Sequence, residues 1–265
     1  SPANAGEYVR LVFTTFNTDN NNDYLSIYDG PSTASPLLGT FYASASPGTI
    51  GATNGTGQLT LRFISDGSGN AAGWAASVSC SATPVQMTDV IMTNGASVKT
   101  CTGSFYDAGG PSGNYDNNMD QTITFTPSNP GEYVRLVFTT FITSSAADRI
   151  SIYDGPSTAS PLLGSFFVSA SPGTIGASNG TGQLTVKFVS DGSGVSGGWA
   201  ATISCSATPI QPSNIIMTDG SNVTTCSATF NDAGGPSGAY DNNLNQTMTF
   251  SGVGTQAVQL NFSTF

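Results

Sequence analysis

The chain has 265 residues, enough for two domains of ordinary size, and only 8% of them are charged. Globular proteins usually carry about a quarter charged residues, so hydroxyl and amide groups must form most of this surface, as suits a secreted protein. The net charge of −10 and the scattered basic residues argue against nucleic acid as a partner, and the lack of any run of 18 apolar residues argues against membrane insertion in this segment.

Short apolar runs with a period of two follow one another along the chain, which is typical of half-buried strands. The alternation is clear in residues 9–13, 59–63 and 74–78. Asp-Gly-Pro at 29–31 and Asn-Gly at 54–55 predict turns between such runs. No segment has a convincing helical pattern. Eight or more short strands in about 110 residues indicate a two-sheet sandwich of the jelly-roll type.

The sequence repeats itself with a period of 125 residues. Residues 6–13 recur from Gly131, and Cys80 recurs as Cys205, a separation of 205 − 80 = 125. Of the 75 positions from 6 to 80, 56 are identical in the later copy. A repeat of this length and fidelity predicts an array of similar domains.

This period divides the chain into one complete copy and two incomplete ones. We expect the C-terminal two thirds of a copy in residues 1–80 (unit 1) and a short polar linker in 81–89. A complete copy follows in 90–205 (unit 2). A second linker would occupy 206–213, and 214–265 (unit 3) would hold the N-terminal third of a further copy.

Unit 1 begins, and unit 3 ends, near the same strand of the repeat. We explain this by the expectation that the chain is a fragment of a longer repeat protein. The alternative is that chains placed head to tail complete one sandwich between them.

Several motifs in combination resemble the CUB domain family. They lie in residues 109–115, 148–157, 160–164, 186–191 and 198–201. CUB domains are adhesion and recognition modules without catalytic activity, so the resemblance implies an all-β chain of tandem CUB-like jelly-roll β-sandwiches that is no enzyme. The run from Cys101 to Gly110 is similar to copies in large bacterial, Bacteroidetes-like cell-surface adhesins, which implies a location outside the cell or on its surface.

Four cysteines without metal-type spacing indicate disulfides and an oxidising compartment. Two pairings are open: Cys101 with Cys205 inside one copy, or Cys80 with Cys101 and Cys205 with Cys226 across the linkers. The resemblance favours Cys101 with Cys205, because related bacterial copies often carry a second cysteine pair at two positions that hold none here. Cys80 and Cys226 would then pair with repeats outside this segment.

The resemblance also implies a calcium site. Three acids hold the ion in calcium-binding CUB domains, and carried over to unit 1 they are Asp19, Asp23 and Asp66. Carboxylates gathered so closely repel one another by roughly 1 to 4 kcal/mol per pair unless a cation lies between them. Calcium takes six to eight oxygen ligands, so we expect residues 20–22 to supply more.

Unit 2 offers a weaker version of this site, in Ser144, Asp148 and Asp191, because serine supplies only a neutral oxygen. The alternative reading is that these acids and asparagines cap turns. A second acidic stretch, residues 107–120, would add ligands or serve as glycine-rich turn architecture, and we favour the turns.

One sequence pattern resembles a catalytic motif. Gly-x-Ser-x-Gly at 194–198 fits a nucleophile elbow, but a predicted strand follows it instead of a helix, and the chain has no histidine. We therefore expect no enzyme.

The close similarity of the copies favours a stalk or filament of a cell-surface adhesin, in which neighbouring repeats or copies of the chain stack. The alternative is a module that binds surface protein or carbohydrate through the loops at 17–22 and 70–72, where the copies differ most.

Overall fold

The computed structural model is all-β, as predicted. It describes residues 1–19, 22–209, 214–225, 228–235, 239–240, 242–252 and 255–262. These residues form twenty strands and no helix. No helix able to cross a membrane is therefore found in the described part of the chain.

Unit 1 forms two three-stranded antiparallel sheets, with strand orders β4-β1-β6 and β3-β2-β5. Its strands are β1 (Tyr8–Asn17), β2 (Tyr24–Tyr28), β3 (Leu37–Tyr42), β4 (Thr49–Gly51), β5 (Thr60–Ile64) and β6 (Gly73–Ser81).

Unit 2 is a sandwich of two five-stranded sheets, ordered β14-β11-β16-β9-β7 and β13-β12-β15-β10-β8. Its strands are β7 (Asp89–Ile91), β8 (Ala96–Lys99), β9 (Ser104–Tyr106), β10 (Asp120–Thr126), β11 (Tyr133–Ile142), β12 (Arg149–Tyr153), β13 (Leu162–Phe167), β14 (Thr174–Gly176), β15 (Leu184–Val189) and β16 (Gly198–Ser206). The pairs β7–β9 and β8–β10 are parallel, and the other pairs are antiparallel.

Unit 3 contributes four strands in two parallel pairs, β17–β19 and β18–β20. They are β17 (Asn214–Ile216), β18 (Ser221–Thr224), β19 (Thr229–Asn231) and β20 (Met248–Ser251). These pairs repeat the parallel pairs at the start of unit 2, 125 residues earlier.

The core of unit 2 lies between its two sheets because every second side chain of each strand points inward. At its centre Trp199 packs between Phe105 and Phe188, with ring centroids 5.5 and 5.0 Å from its own. All three rings are at most 1% exposed. Aromatic packing of this kind fixes how the two sheets face each other.

A partly buried carboxylate holds the turn that follows β12. Asp154 accepts hydrogen bonds from the backbone N–H and hydroxyl of Ser178, at 2.9 and 2.6 Å, and from the backbone N–H of Asn179 at 3.2 Å. The same set recurs in unit 1, where Asp29 accepts from Thr53. These hydrogen bonds are the structural reason for the aspartate in the Ile-Tyr-Asp-Gly run at 152–155, which repeats 27–30.

Residues 81–89, expected to be a polar linker, pack against unit 1. The backbone N–H of Val85 donates to the carbonyl of Ala52 at 3.2 Å, and that of Thr88 donates to the carbonyl of Thr49 at 3.3 Å. Met87 is only 4% exposed. The segment is therefore part of the boundary between units 1 and 2, since its few apolar side chains find a surface to cover.

Ion pairs contribute little to the fold. Lys187 and Asp120, with Nζ and Oδ1 2.8 Å apart, form the one ion pair found in the described residues. Hydrogen bonds and apolar packing therefore hold this structure together.

Candidate calcium site

Asp148 directly precedes β12 and is fully buried. Its Oδ2 accepts the hydroxyl of Tyr115 at 2.7 Å, and its Oδ1 accepts the backbone N–H of Asp191 at 2.8 Å. The Tyr115 oxygen accepts in turn the backbone N–H of Ser144, also at 2.7 Å. The structure thus brings Asp191 next to Asp148 and Ser144, which lie 43 and 47 residues earlier in the sequence.

The loop that follows β15 lies close to Ser144. Asp191 Oδ1 accepts the backbone N–H of Ser193 at 2.8 Å, which shapes the loop. At Gly194, where φ is +76°, an added Cβ would lie 2.4 Å from the Ser144 hydroxyl oxygen. A larger residue is disfavoured there by both the backbone conformation and the space, so the loop stays close to Ser144.

Sequence reasoning assigned Tyr115 no role in the site. Burial, together with the hydrogen bond to Asp148, raises the pKa of Tyr115 to about 12. The phenol therefore stays protonated at neutral pH and donates to the buried carboxylate. The only signal for it in the sequence is a single aromatic residue in a glycine- and asparagine-rich loop, next to other polar residues.

Unit 1 repeats part of this arrangement with its three predicted ligands. Asp23 is buried, and its Oδ1 accepts the backbone N–H of Asp66 at 2.8 Å. The carboxylate of Asp19 lies against the loop that follows Asp66, since an added Cβ at Gly69 would lie 2.1 Å from Asp19 Oδ2. Residues 20 and 21, expected to supply further oxygens, lie outside the described residues.

The donor chemistry in unit 1 fits calcium, a hard cation that prefers oxygen and negative charge. The three carboxylates do not form a compact ligand cluster, because the oxygens of Asp19, Asp23 and Asp66 do not all lie within 4.8 Å of one another. In unit 2 the corresponding residues supply two carboxylates and one hydroxyl. The residues of unit 1 are therefore the better match to a divalent cation.

The cysteines are arranged as the resemblance favours. Cys101, which follows β8, is bonded to Cys205 in β16, 104 residues later. Glu132 approaches both sulfurs, but this group is no metal site, because disulfide sulfurs are not thiolates. Cys80 is exposed and free, and Cys226 lies outside the described residues.

The acidic stretch that begins at Asp107 is turn architecture. Asp107 is fully buried and accepts the backbone N–H of Gly109 at 2.8 Å and of Trp199 at 3.2 Å. Burial raises the pKa of Asp107 to about 7. Its carboxylate joins the loop before β10 to the start of β16, which explains an acid in this position without an ion.

Comparison with known families agrees with the fold. The model of the CUB domain matches residues 2–78 and 94–203. This chain belongs to the CUB domain family. Both matched segments hold a set of the predicted ligands, and the family is generally non-enzymatic.

Several animal proteins are similar to the chain. Cubilin of Sus scrofa is 32% identical over 209 residues, 73% of this chain and 5% of cubilin. The exoskeleton protein RP43 of Riftia pachyptila is 28% identical over 71% of this chain and 43% of its own length. The crystal structure of the MASP-1 CUB2 domain bound to Ca2+ is 23% identical over 42% of this chain and 98% of that domain, with a TM-score of 0.34.

These relatives can be compared with the predicted location and the predicted source of the protein. The chain spans about 5% of the length of the cubilins. Such CUB relatives are extracellular or secreted proteins, in keeping with the disulfide. Because the relatives named here are animal proteins, they give no support to the resemblance to bacterial adhesins.

Proposed function

We propose that the units of this protein stack into an extracellular stalk or filament. The observation that carries the proposal is that the same junction forms twice. The backbone N–H of Thr40 donates to the hydroxyl of Thr93 at 3.2 Å, and that of Ser165 donates to the hydroxyl of Thr218 at 3.2 Å. Both partners are displaced by 125 residues, so each unit meets the next through the same surface.

Apolar contacts repeat in the same register. An added Cβ at Gly110 would lie 3.4 Å from the Cβ of Ala45, and one at Gly235 would lie 3.0 Å from the Cβ of Ala170. Ala45 and Ala170 are 3% and 4% exposed, so both junctions exclude water. Repetition of one contact along a chain generates a regular solenoid-like array, since each unit needs only its neighbours.

The similarity to an exoskeleton protein supports a structural role outside the cell. Calcium bound by Asp19, Asp23 and Asp66 would stabilise the loops at one end of unit 1. We propose this as a support for the array and as a property separate from the stacking itself.

The test is to break the apolar contact of each junction. Ala45→Arg and Ala170→Arg place a long charged side chain in a buried contact, so each should uncouple one pair of units. Small-angle scattering and class averages of single particles should then show a bend at that junction. Ala71→Arg, in an exposed loop of unit 1, is the matched control and should leave the particle straight.

Variable angles between units in the unaltered protein would contradict stacking. So would identical particle shapes for the junction variants and the control.

A second candidate function is recognition of a ligand, favoured by a groove of about 520 Å³ where units 1 and 2 meet. Tyr24, Tyr28 and Tyr42 lie along one side, and Asp116 and Gln121 lie along the other. Tyrosine rings beside carboxyl and amide groups suit a neutral saccharide.

Calorimetric titration with a panel of neutral oligosaccharides tests this second function. Binding that is lost in Tyr28→Ala and kept in Tyr153→Ala, the counterpart in unit 2, would support it. No heat from any member of the panel, in the unaltered protein, would exclude it.

A further inference from the structure

The loop that connects β12 to β13 has the same sequence in unit 1, where it connects β2 to β3. Residues 29–39 and 154–164 are identical, and both read Asp-Gly-Pro-Ser-Thr-Ala-Ser-Pro-Leu-Leu-Gly. We call residues 31–36 and 156–161 the proline-flanked loops. In each loop both prolines, the first serine, the threonine and the alanine are exposed. The tip of the loop is therefore open to solvent in both units.

A β-turn forms the tip of each loop. The backbone N–H of Ser160 donates to the carbonyl of Ser157 at 3.1 Å, which places Thr158 at the corner of the turn. The backbone N–H of Asp154 donates to the carbonyl of Pro161 at 2.8 Å and closes the base of the loop. The same two bonds, with the same lengths, recur 125 residues earlier in unit 1. Both loops therefore present their threonine in one defined conformation.

Two of the three hydroxyls in each loop are used by the fold. Ser157 Oγ accepts the backbone N–H two residues later at 3.3 Å, and Ser160 Oγ accepts that of Ser157 at 3.4 Å. Ser160 also lacks free space, since an added Cβ at Gly155 would lie 2.4 Å from its Oγ. The hydroxyls of Thr158 and of its counterpart Thr33, by contrast, form no hydrogen bond within the described part of the chain. These two threonines therefore expose hydroxyls that the fold does not need.

We propose that Thr33 and Thr158 are sites of O-glycosylation, each of which carries a neutral N-acetylhexosamine. Segments rich in serine and threonine that contain proline are typical of O-glycosylated stalks. The flanking prolines fix the backbone on both sides of the acceptor, so the loop loses little freedom when a transferase binds it. Because neither hydroxyl has a partner in the fold, the sugar breaks no hydrogen bond of the protein.

The charge of the protein favours a sugar over a phosphate at these hydroxyls. A phosphate would add roughly −1.5 to −2 charges at each site. The chain already has a net charge of −10, so that addition would increase its self-repulsion. A neutral sugar adds bulk and hydration without this cost. The Cys101–Cys205 disulfide also indicates an oxidising compartment, as expected for a protein that passes through the secretory route.

The modification is a glycosyl transfer with a nucleotide-diphosphate sugar as donor and a glycosyltransferase as catalyst. The threonine Oγ1 attacks the anomeric carbon of the sugar and forms a carbon–oxygen bond. The bond between that carbon and the diphosphate breaks, and the nucleotide diphosphate leaves with the electron pair. The hydroxyl proton passes to a base of the transferase. This chain supplies only the acceptor oxygen.

The proposed sugars lie away from the sites described above. Asp148 directly precedes β12 and the loop follows it, so this five-residue strand separates the two by about 16 Å. The junction contacts of unit 2 involve Ser165 and Ala170, which come later, within β13 and after it. Glycosylation therefore goes beyond the proposed stacking and does not depend on it. It would place one sugar on each unit that has this loop.

Intact-mass spectrometry of the chain secreted by animal cells tests the proposal, after peptide N-glycosidase has removed any N-linked sugar. The mass should exceed 27.0 kDa by at least two N-acetylhexosamine units, and electron-transfer fragmentation should place them on Thr33 and Thr158. Thr33→Val with Thr158→Val keeps the branched shape and removes both hydroxyls. This variant should return to 27.0 kDa with an unchanged melting temperature. Thr33→Ser with Thr158→Ser should retain the sugars.

The matched control is Thr56→Val with Thr181→Val. Both residues are exposed threonines, but their hydroxyls donate to the side chains of Asn54 and Asn179. The control should keep both O-linked sugars. An unmodified mass for the unaltered secreted protein would overturn the proposal. So would a phosphate on the two threonines, or sugars that persist in the valine variant of the proline-flanked loops.

Discussion

Asp107 has no contact with solvent, yet it is placed to hold two backbone N–H groups from different parts of unit 2. Burial raises its pKa from 3.8 to about 7. Between these two pH values the folded protein binds more protons than the unfolded chain. The contribution of Asp107 to the free energy of unfolding therefore decreases as pH rises through this window, and is constant above it.

Substitution Asp107→Asn should remove this dependence. The unfolding free energy of the unaltered protein relative to the variant should fall between about pH 4 and about pH 7, by roughly 4 kcal/mol at most. Urea denaturation across this range measures the difference. Asp120→Asn, at an exposed position of unit 2, should keep the slope of the unaltered protein. If the Asp107→Asn variant keeps the pH slope of the unaltered protein, another group titrates in this range.

The calcium proposal leads to a gain-of-function test. Ser144→Asp gives unit 2 the third carboxylate that unit 1 has in Asp19, so it should create or strengthen a site there. Calorimetric titration with Ca2+ should show one additional or tighter binding event, and Asp19→Asn should remove the event that belongs to unit 1. At free calcium 100 times above the dissociation constant, bound ion should stabilise its unit by about 2.7 kcal/mol.

Chelator supplies the control for these titrations. Without calcium the Ser144→Asp variant should melt lower than the unaltered protein, since it adds a repelling charge beside Asp148 and Asp191. Identical melting with and without calcium, in every variant, would mean that the acids only cap turns.

At the scale of elements, the strands were the most predictable part of the structure. The alternation in residues 59–63 and 74–78 placed Leu61, Phe63 and Trp74 on one face of their strands. Their counterparts in unit 2 are buried, whereas these three side chains are 36 to 47% exposed in unit 1. Period two is a local signal, because each strand carries its own pattern of inward and outward residues. Three-residue strands such as β7 and β14 are too short to show it.

The site could be predicted only in part, for a physical reason. The resemblance supplied Asp148 and Asp191, but the bridge between Asp148 and Ser144 is the hydroxyl of Tyr115, which comes from a loop without periodicity. The same limit applies to residues 81–89. Their polar composition predicted a short linker, and nothing local in the sequence shows that Val85 contacts Gly51.

The close contact between Val85 and Gly51 leads to a prediction for the junction between units 1 and 2. An added Cβ at Gly51 would lie 2.3 Å from the Cβ of Val85, closer than atoms can approach, so Gly51→Ala must push the linker away. We expect a loss of about 1 to 3 kcal/mol in stability and a looser junction between units 1 and 2. Gly55→Ala, where an added Cβ has open space, is the control. Thermal unfolding with limited proteolysis of residues 81–89 measures both effects.

At the scale of the whole molecule, one junction repeated with a fixed displacement determines the shape. The hydrogen bonds of Thr93 and Thr218 come from two copies of one contact, so each further repeat should add the same rotation and rise. The number of units then sets the length, while the junction sets the curvature.

Insertion of a second copy of residues 81–205 after Cys205 tests this relation. The longest dimension from small-angle scattering should increase by one constant step, and two inserted copies should give two steps. Unequal steps, or a particle that folds back on itself, would show that the junction is not transmitted along the chain.

The scarcity of ion pairs has a further consequence for the conditions that the protein tolerates. Dissolved salt weakens attractions between charged side chains, and Lys187 with Asp120 is the one such pair in the part of the chain that the structure describes. Screening also reduces the mutual repulsion of a chain with a net charge of −10. Seawater should therefore preserve this fold at least as well as fresh water does.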